Sequence, residues 1–583
     1  MGPQTEQGGL SMLLVVLDTT QIQPYIFGSN RLRENVGASY LVDAATGAWA
    51  FEAVREAVNG AAPGETNIGP GDELLDAKRI EQGLAAEVLY AGGGNFVVLF
   101  GGNDDQARER AKEFQRALSM RALLEAPGLQ LVIAQQAMQW GSDSLSSKLN
   151  AAFRVLVMQK RNRAWSAPLL GLSVTASCNS TGLPATGLVR GIGGEPPYLS
   201  SDEIRAKVDV ALQHGNELSA ADERLQKALP LKKEGKEQYL YPRDFDEMGA
   251  TAGEYSYIAV VHADGNSMGQ RILHIGDVYE SPDKNREFVR ELRKFSLDVE
   301  KAAKAALNVV HDRLVQRIDE DGGKVIVYKP NQKMSIQIEL ASKDGKYYVP
   351  FRPIVFGGDD VTFVCDGRLG LSLAIEYLRE FEHQTRLADS LRKDGSGLTA
   401  CAGVAVVKSH YPFARAYALA EELARSAKVY RRDNEIDGSC LDWHFALSGL
   451  SGSIEEVRSR EYQASAGSLT LRPVTLAANP KKAQHAWPVI EKGIKAFQGE
   501  DWAGHHNKIK ALRDVLREGP AAVGRFVAAL EADLPAVLPE MSDWPKMGWH
   551  GDSCGYFDAI ELADWFIPLK GEADAASATA SQP

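Results

Sequence analysis

The 583-residue chain is poor in cysteine: Cys178, Cys365, Cys401, Cys440 and Cys554 are far apart, odd in number and without a CxxC spacing. That pattern excludes a disulfide framework, speaks against a structural zinc site and reads as reduced thiols in a cytoplasmic setting. No apolar run approaches the roughly 18 residues that a membrane helix needs. The opening MGPQTEQGGLS also lacks the apolar core of a signal peptide. Positive charge is in short supply as well. Sixty-five Lys and Arg face 77 Asp and Glu, for a net charge of −12. This argues against broad, sequence-independent nucleic-acid binding, which rests on many cation–phosphate contacts. Histidines lack companions too: His262 and His383 stand alone and read as packing or surface residues. His311-Asp312 lies inside a regular helical pattern with no partner histidines, so a metal-phosphohydrolase pair is rejected.

What is present is a duplicated order of elements. Residues 12–18 (MLLVVLD) form an apolar strand ending at Asp18, and helical sequence follows. AEVLYAGGGNFVVLF at 86–100 reads as a hairpin, followed by a charged helix and the strand LQLVIAQQAM. The second half repeats this order. YIAVVHAD ends at Asp264, a long helix follows, and FRPIVFGGDDVTFVC is the second hairpin. The helix LGLSLAIEYLREFEHQTRL and the strand TACAGVAVV complete the unit. Alignment sets Asp18 over Asp264 and Gly92-Gly93-Gly94-Asn95 over Gly357-Gly358-Asp359-Asp360. The expected class is α+β: two ferredoxin-like βαββαβ palms, a small intervening module and a C-terminal helical bundle. The expected boundaries are a disordered leader 1–11, a first palm 12–165, a module and linker 166–250, a second palm 251–449, a helical domain 450–570 and a disordered tail 571–583.

The chemistry gathers in the second palm. Asp359 and Asp360 are adjacent acids on a Gly-Gly turn, and like charges side by side repel unless a cation neutralises them. Asp264 ends a strand and opens Gly265-Asn266-Ser267-Met268-Gly269. Such a loop before a helix N-terminus brings free N–H groups to phosphates. Mg²⁺ or Mn²⁺ takes hard oxygen ligands, and a two-ion site activates a hydroxyl and stabilises leaving pyrophosphate. Candidate metal ligands are Asp264, Gly265, Asp359 and Asp360, with Asp360 either the second carboxylate ligand or the group that deprotonates the attacking hydroxyl. Candidate nucleotide contacts are Gly265, Asn266, Ser267, Gly269, Gly357, Gly358 and Lys428, the last reaching a phosphate from the helix FARAYALAEELARSAKVYRRD. The first palm has Gly94 and Asn95 where the acids would stand, so it is expected to be silent. Gly93, Gly94 and Asn95 are candidates to hold a second nucleotide. Lys160-Arg161-Asn162-Arg163-Ala164-Trp165 is a short basic patch that reads as a solvated loop before it reads as an RNA contact.

IQPYIFGSNRLRENVGASYLV at 22–42, together with YIAVVHADGNSMG, FGGDD and CAGVAVVKSHYPFARAYALAEELARSAK, resembles the large polymerase-like subunit of type III CRISPR effector complexes. The likeness spans about residues 12–450. It departs from the family pattern in two ways: the chain starts at the first palm without an HD nuclease domain, and CNSTGLPA keeps Cys178 alone where paired zinc cysteines are usual. The resemblance implies synthesis of cyclic or short linear oligoadenylates from ATP in antiviral defence, with Asp264, Asp359 and Asp360 as the metal-binding acids. No DNA cleavage is expected. ATP or other triphosphates, RNA, CRISPR effector subunits and further copies of the chain are the candidate partners, and no membrane partner is expected. Two other readings stay open: a cyclic mono- or dinucleotide synthase using GTP or mixed triphosphates, and a non-catalytic scaffold binding RNA or partner subunits.

Overall fold

Strand β1 (Ser11–Thr20) is apolar at nearly every position because helices cover both of its faces. Leu13, Val15 and Leu17 enter one core, while Met12, Leu14 and Val16 enter another. The structure is a computed structural model describing residues 11–58, 65–162, 174–191, 195–212, 218–231, 239–249, 256–318, 325–392, 395–447, 449, 452–479, 481–502 and 504–569. The expected disordered tail, the leader before Ser11, and Arg163, Ala164 and Trp165 of the basic patch lie outside the described residues.

After β1 come the helices α1 (Ile22–Phe27) and α2 (Leu32–Thr46), then the hairpin of β2 (Ala86–Gly92) and β3 (Asn95–Phe100). Helix α3 (Asp104–Glu125), capped by a reciprocal Asn103–Gln106 pair, leads to β4 (Gln130–Gln139) and α4 (Leu145–Asn162). The sheet order is β2-β3-β1-β4, all antiparallel. In the second half, β5 (Tyr257–Gly265) leads into α5 (Met268–Val278) and α6 (Asn285–Gln316). The hairpin β6 (Phe351–Gly357) and β7 (Asp360–Asp366) follows, then α7 (Gly370–Leu387), β8 (Ala400–Lys408) and α8 (Phe413–Asp433). The order β6-β7-β5-β8 repeats the first sheet, extended by β9 (Cys440–Ala446) and β10 (Val474–Thr475).

The duplication holds at single-residue level. Asp18 pairs with Asn95 as Asp264 pairs with Asp360. Each hairpin also carries a register shift at the matching place, between Val88 and Tyr90 in one and between Pro353 and Val355 in the other. A one-residue slip would send every side chain to the opposite face, so matching registers place matching groups.

Helix α6 ties the halves together. Its 32 residues run about 48 Å. Phe288, Val289 and Leu292 enter the core of the first half, and Phe295 and Val299 onward enter that of the second. Arg286 pairs with Glu81 and Glu87, the latter at 2.7 Å. Arg293 pairs with Asp76 and Glu87 and donates to the carbonyls of Val88 (2.9 Å) and Leu89 (3.1 Å). Glu87 is fully buried, so its charge depends on these guanidiniums.

Between the halves, Cys178 is buried with Val189, Tyr198, Ile204 and Val208, as a packing residue. All five cysteines are buried and none forms a disulfide. His311 is buried beside Tyr241 and Phe351. Beyond β10 the helices Trp487–Gln498, His506–Glu518, Pro520–Leu530 and Phe557–Ala563 form the expected helical region. Two strands before β10 (Gln463–Ala464 and Gly467–Ser468) and two after it (Trp549–His550 and Ser553–Cys554) form a further sheet of two-residue strands, too short to show in sequence periodicity. The core of the helical region is continuous with that of the second half through Trp443, Trp487 and Phe566, with ring centroids 6.1 and 5.3 Å apart.

Arg293→Ala is expected to cost about 3 kcal/mol in urea denaturation, because it strips one partner from a buried carboxylate, takes the guanidinium from the Leu89 carbonyl and leaves the Val88 carbonyl with Asn67 Nδ2 as its side-chain donor. An unchanged midpoint would show that α6 holds the hairpin without Arg293, by apolar packing and the Arg286 pairs.

Candidate metal and nucleotide site

Asp264 and Asp360 face each other because β5 and β7 pair in that register, and Asp359 sits on the turn just before β7. One carboxylate oxygen from each of the three acids lies within 4.8 Å of the others, the one such cluster of metal-ligating side chains found among the described residues. Gly265 makes this possible: a Cβ there would stand 2.8 Å from the Cβ of Asp359 and 2.5 Å from Met268 Cε. Burial, then the Asp264 charge, pushes the Asp359 carboxyl up from its ordinary range. Burial, then Asp264 and Asp359, pushes Asp360 further up, although part of that side chain still reaches solvent. Lys428, from the last turns of α8, forms an ion pair with Asp264 and donates to the Gly265 carbonyl at 3.2 Å. One ammonium against three carboxylates leaves negative charge to spare. The donor set is all hard oxygen, which suits Mg²⁺ or Mn²⁺ and suits soft metals poorly.

The remaining expected contacts divide. Ser267 adopts left-handed backbone (φ 63°, ψ 22°) and opens α5 without capping it, and the space around Gly269 is open. Asn266 is instead engaged with the chain before β8. Its N–H donates to the Thr399 carbonyl (2.8 Å) and its Nδ2 to Thr399 Oγ1 (2.9 Å), so it anchors the loop. Gly357 closes the hairpin opposite Asp360. Gly358 (φ 67°) abuts the first half's turn, where an added Cβ would lie 3.4 Å from Gly93 Cα. In that turn, Asn95 Nδ2 donates to the Gly93 carbonyl (3.1 Å), Gly94 is left-handed, and Asp18 is held by Lys160 at 2.5 Å. The structure thus gathers Asp264, Gly265, Asp359, Asp360 and Lys428 at one centre, and sets Gly93 and Gly358 tip to tip. Asn266 faces away into scaffold.

A cavity of about 290 Å³ opens from these acids, with Asp264, Asp360 and Lys428 at one end and Gln23, Phe27, Tyr417 and Glu421 among its other walls. His262 and Thr362, joined at 3.0 Å, line it too, and burial pushes the imidazole pKa down, which keeps the ring neutral. In the sequence His262 reads as a packing or surface residue, and Thr362, Tyr417 and Glu421 are not singled out. The signal was available: His262 precedes Asp264 by two and Thr362 follows Asp360 by two, hence the same sheet faces, and Tyr417, Glu421 and Lys428 share one stripe of a helix.

Two duplicated palms, one with a compact acid cluster beside a cavity, define a palm-domain protein with a single metal-type centre among the described residues. Residues 257–436, which carry that centre, match the family model described as Cas10/Cmr2, second palm domain. The match is confined to that segment, which is similar to the second palm of that family. A search of curated proteins gave no match. Solved structures similar to it include a chain of the Csm1–Csm4 cassette in complex with AMPPNP (15% identity, 95% of this chain and 70% of that chain covered, TM-score 0.47). Others are a chain of the same cassette with cA3 (13%, 97% and 72%, TM-score 0.49) and Csm1 in T. onnurineus (14%, 98% and 67%, TM-score 0.46). Among the described residues no helix is long and apolar enough to cross a membrane.

Carboxylates whose folded-state pKa is raised bind more protons folded than unfolded. Stability of the metal-free protein is therefore expected to fall as pH rises from the ordinary carboxylate value through the raised values of Asp359 and Asp360. Thermal melts with chelator should show this slope, and it should flatten in Asp359→Asn with Asp360→Asn. Adding Mn²⁺ at 100 times its dissociation constant should stabilise the wild type by about 2.7 kcal/mol and leave the double variant unmoved. Equal Mn²⁺ shifts in both proteins would dissociate the metal from these acids.

Proposed function

We propose that the protein is a nucleotidyltransferase that joins ATP into cyclic or short linear oligoadenylates, acting as a second-messenger synthase of a CRISPR-type defence. The observation that carries this reading is the convergence of three carboxylates, two of which, Asp264 and Asp360, line a cavity of nucleoside size. Asp264, Asp359 and Asp360 would hold two divalent cations, Mg²⁺ or Mn²⁺, with the Gly265 carbonyl as a further ligand. When bound, such ions lower the pKa of the attacking hydroxyl and neutralise the leaving pyrophosphate. The N–H groups at the start of α5, with Ser267 and Gly269, receive the triphosphate. Lys428, drawn off Asp264 once that charge is neutralised, turns to a phosphate oxygen. The 2′- or 3′-hydroxyl of a second nucleotide attacks the α-phosphorus; the new P–O bond forms, the bond to the β-phosphate oxygen breaks, and pyrophosphate leaves. The hydroxyl proton passes to Asp360, which lines the cavity, or, where Asp360 holds a cation, to solvent.

The first half supplies the acceptor side, across the tip-to-tip turns. It retains the Asp18–Lys160 pair in the place of Asp264–Lys428. It lacks the acid pair, and Leu149, Phe153 and Leu156, at the spacing before Lys160 that Tyr417, Glu421 and Ala424 hold before Lys428, pack with Val16 and Val97. No second metal site of the same kind is therefore assigned there.

Incubation with labelled triphosphates and Mg²⁺ or Mn²⁺, with and without RNA and effector subunits, followed by mass spectrometry of the products, tests this reading. Oligoadenylate is expected, and Asp359→Ala with Asp360→Ala should reduce it by more than about 10²-fold. A guanine-containing product would assign a different substrate. No product under any condition, from protein that still binds Mn²⁺, would leave a binding scaffold.

A further inference from the structure

We infer that Gln23 and Glu421, one from each half of the duplication, form the base-reading pair of this site and select a nucleobase with an amino group beside a bare ring nitrogen, as in adenine. The inference rests on the nucleotide-binding reading above and assigns its base selection to residues that span both palms. Along α8, Lys428 and Glu421 are seven residues apart, about 10 Å of helix axis. That is the span from a nucleotide's phosphates to the far edge of its base. Between them the cavity is lined by Ala424, His262, Thr362 and Val355 from the second half and by Ile22 and Ile26 from the first. Phe27 stacks on Tyr417 (centroids 3.7 Å apart, 16°), and His262 meets the same ring edge-on at 5.7 Å. The base would thus enter a slot with aromatic and aliphatic walls, to which α1 contributes one side.

At the end of the slot, Gln23 Nε2 donates to Glu421 Oε1 at 3.2 Å, and Arg425 approaches the same oxygen at 3.3 Å. A carboxylate accepts only, and the Gln23 amide, which also meets the Tyr417 hydroxyl, has an N–H to turn from that hydroxyl to a base. The pair therefore offers an acceptor beside a donor. Adenine's 6-amino group and N1 present the complementary donor and acceptor. Guanine presents a carbonyl and an N–H in those places, setting oxygen against carboxylate and N–H against N–H. Sites built to pair with a polar group reject partners that leave it unpaired far more strongly than apolar slots reject a change of size.

Equilibrium binding to the full chain with Mn²⁺ tests this, using ATP, GTP and purine riboside triphosphate, which lacks the amino group. Wild type is expected to bind ATP at least about tenfold more tightly than the purine analogue, with GTP weaker still. Glu421→Ala should erase the preference for ATP while its affinity for the purine analogue stays within about twofold, which also reports that the variant is folded. Gln23→Ala should lessen the preference in the same direction. Equal binding of ATP and the analogue by wild type, a preference for GTP, an intact preference in Glu421→Ala, or no binding of any nucleotide would each overturn the assignment. Selective binding without product would uphold the pair and remove the nucleotidyl transfer proposed above. Product formation with unselective binding would do the reverse.

Discussion

Mutual repulsion among Asp264, Asp359 and Asp360 is the constraint that the second half is built around. Left to themselves, three carboxylates would separate. Here strand register fixes two of them opposite each other, and a hairpin turn delivers the third. Neither β5 nor β7 can shift to relieve the crowding, because both are interior strands buried on each face. The site is thus paid for by the apolar core beneath it, and Lys428 offsets only part of the charge. A cation would take up the excess charge of such a cluster, so the crowding of like charges is also what makes the place receptive.

The halves began as equals and have diverged by chemistry rather than by shape. Both keep the sheet order, the hairpin register shift and an Asp–Lys pair at the strand end. They differ at the turn, where Gly94 and Asn95 stand in place of two acids, and along the helix that follows the fourth strand, where apolar residues replace a polar stripe. The first half is not idle in consequence. Through Ile22, Gln23, Ile26 and Phe27 it walls the cavity of the second, which is incomplete without it.

Much of this was legible from the chain alone, because strands of alternating partners and hairpins with Gly-rich turns leave local marks. The mixed α/β class with paired palms followed from repeated order, and the correspondence of Asp18 with Asp264 reappears in the strand pairing. The acid cluster was readable because GGDD is costly without a purpose. What escaped was whatever depends on distant contact. Gln23 and Glu421 are separated by 398 positions, and no local pattern joins them. Asn266, which reads as a phosphate-loop residue, is engaged by Thr399 from another strand's approach. The small C-terminal sheet has strands of two residues, below the length at which alternation can be seen.

Gly93 and Gly358 bring the two turns close together: a Cβ added at Gly358 would lie 3.4 Å from Gly93 Cα. Both glycines take left-handed backbone (φ 58° and 67°), so the course of each turn is set by a conformation that other residues adopt at a cost. The gap between the two strand ends is therefore a fixed gauge. A molecule bridging them must conform to it, and reach would have to be adjusted by the bridging molecule rather than by the protein.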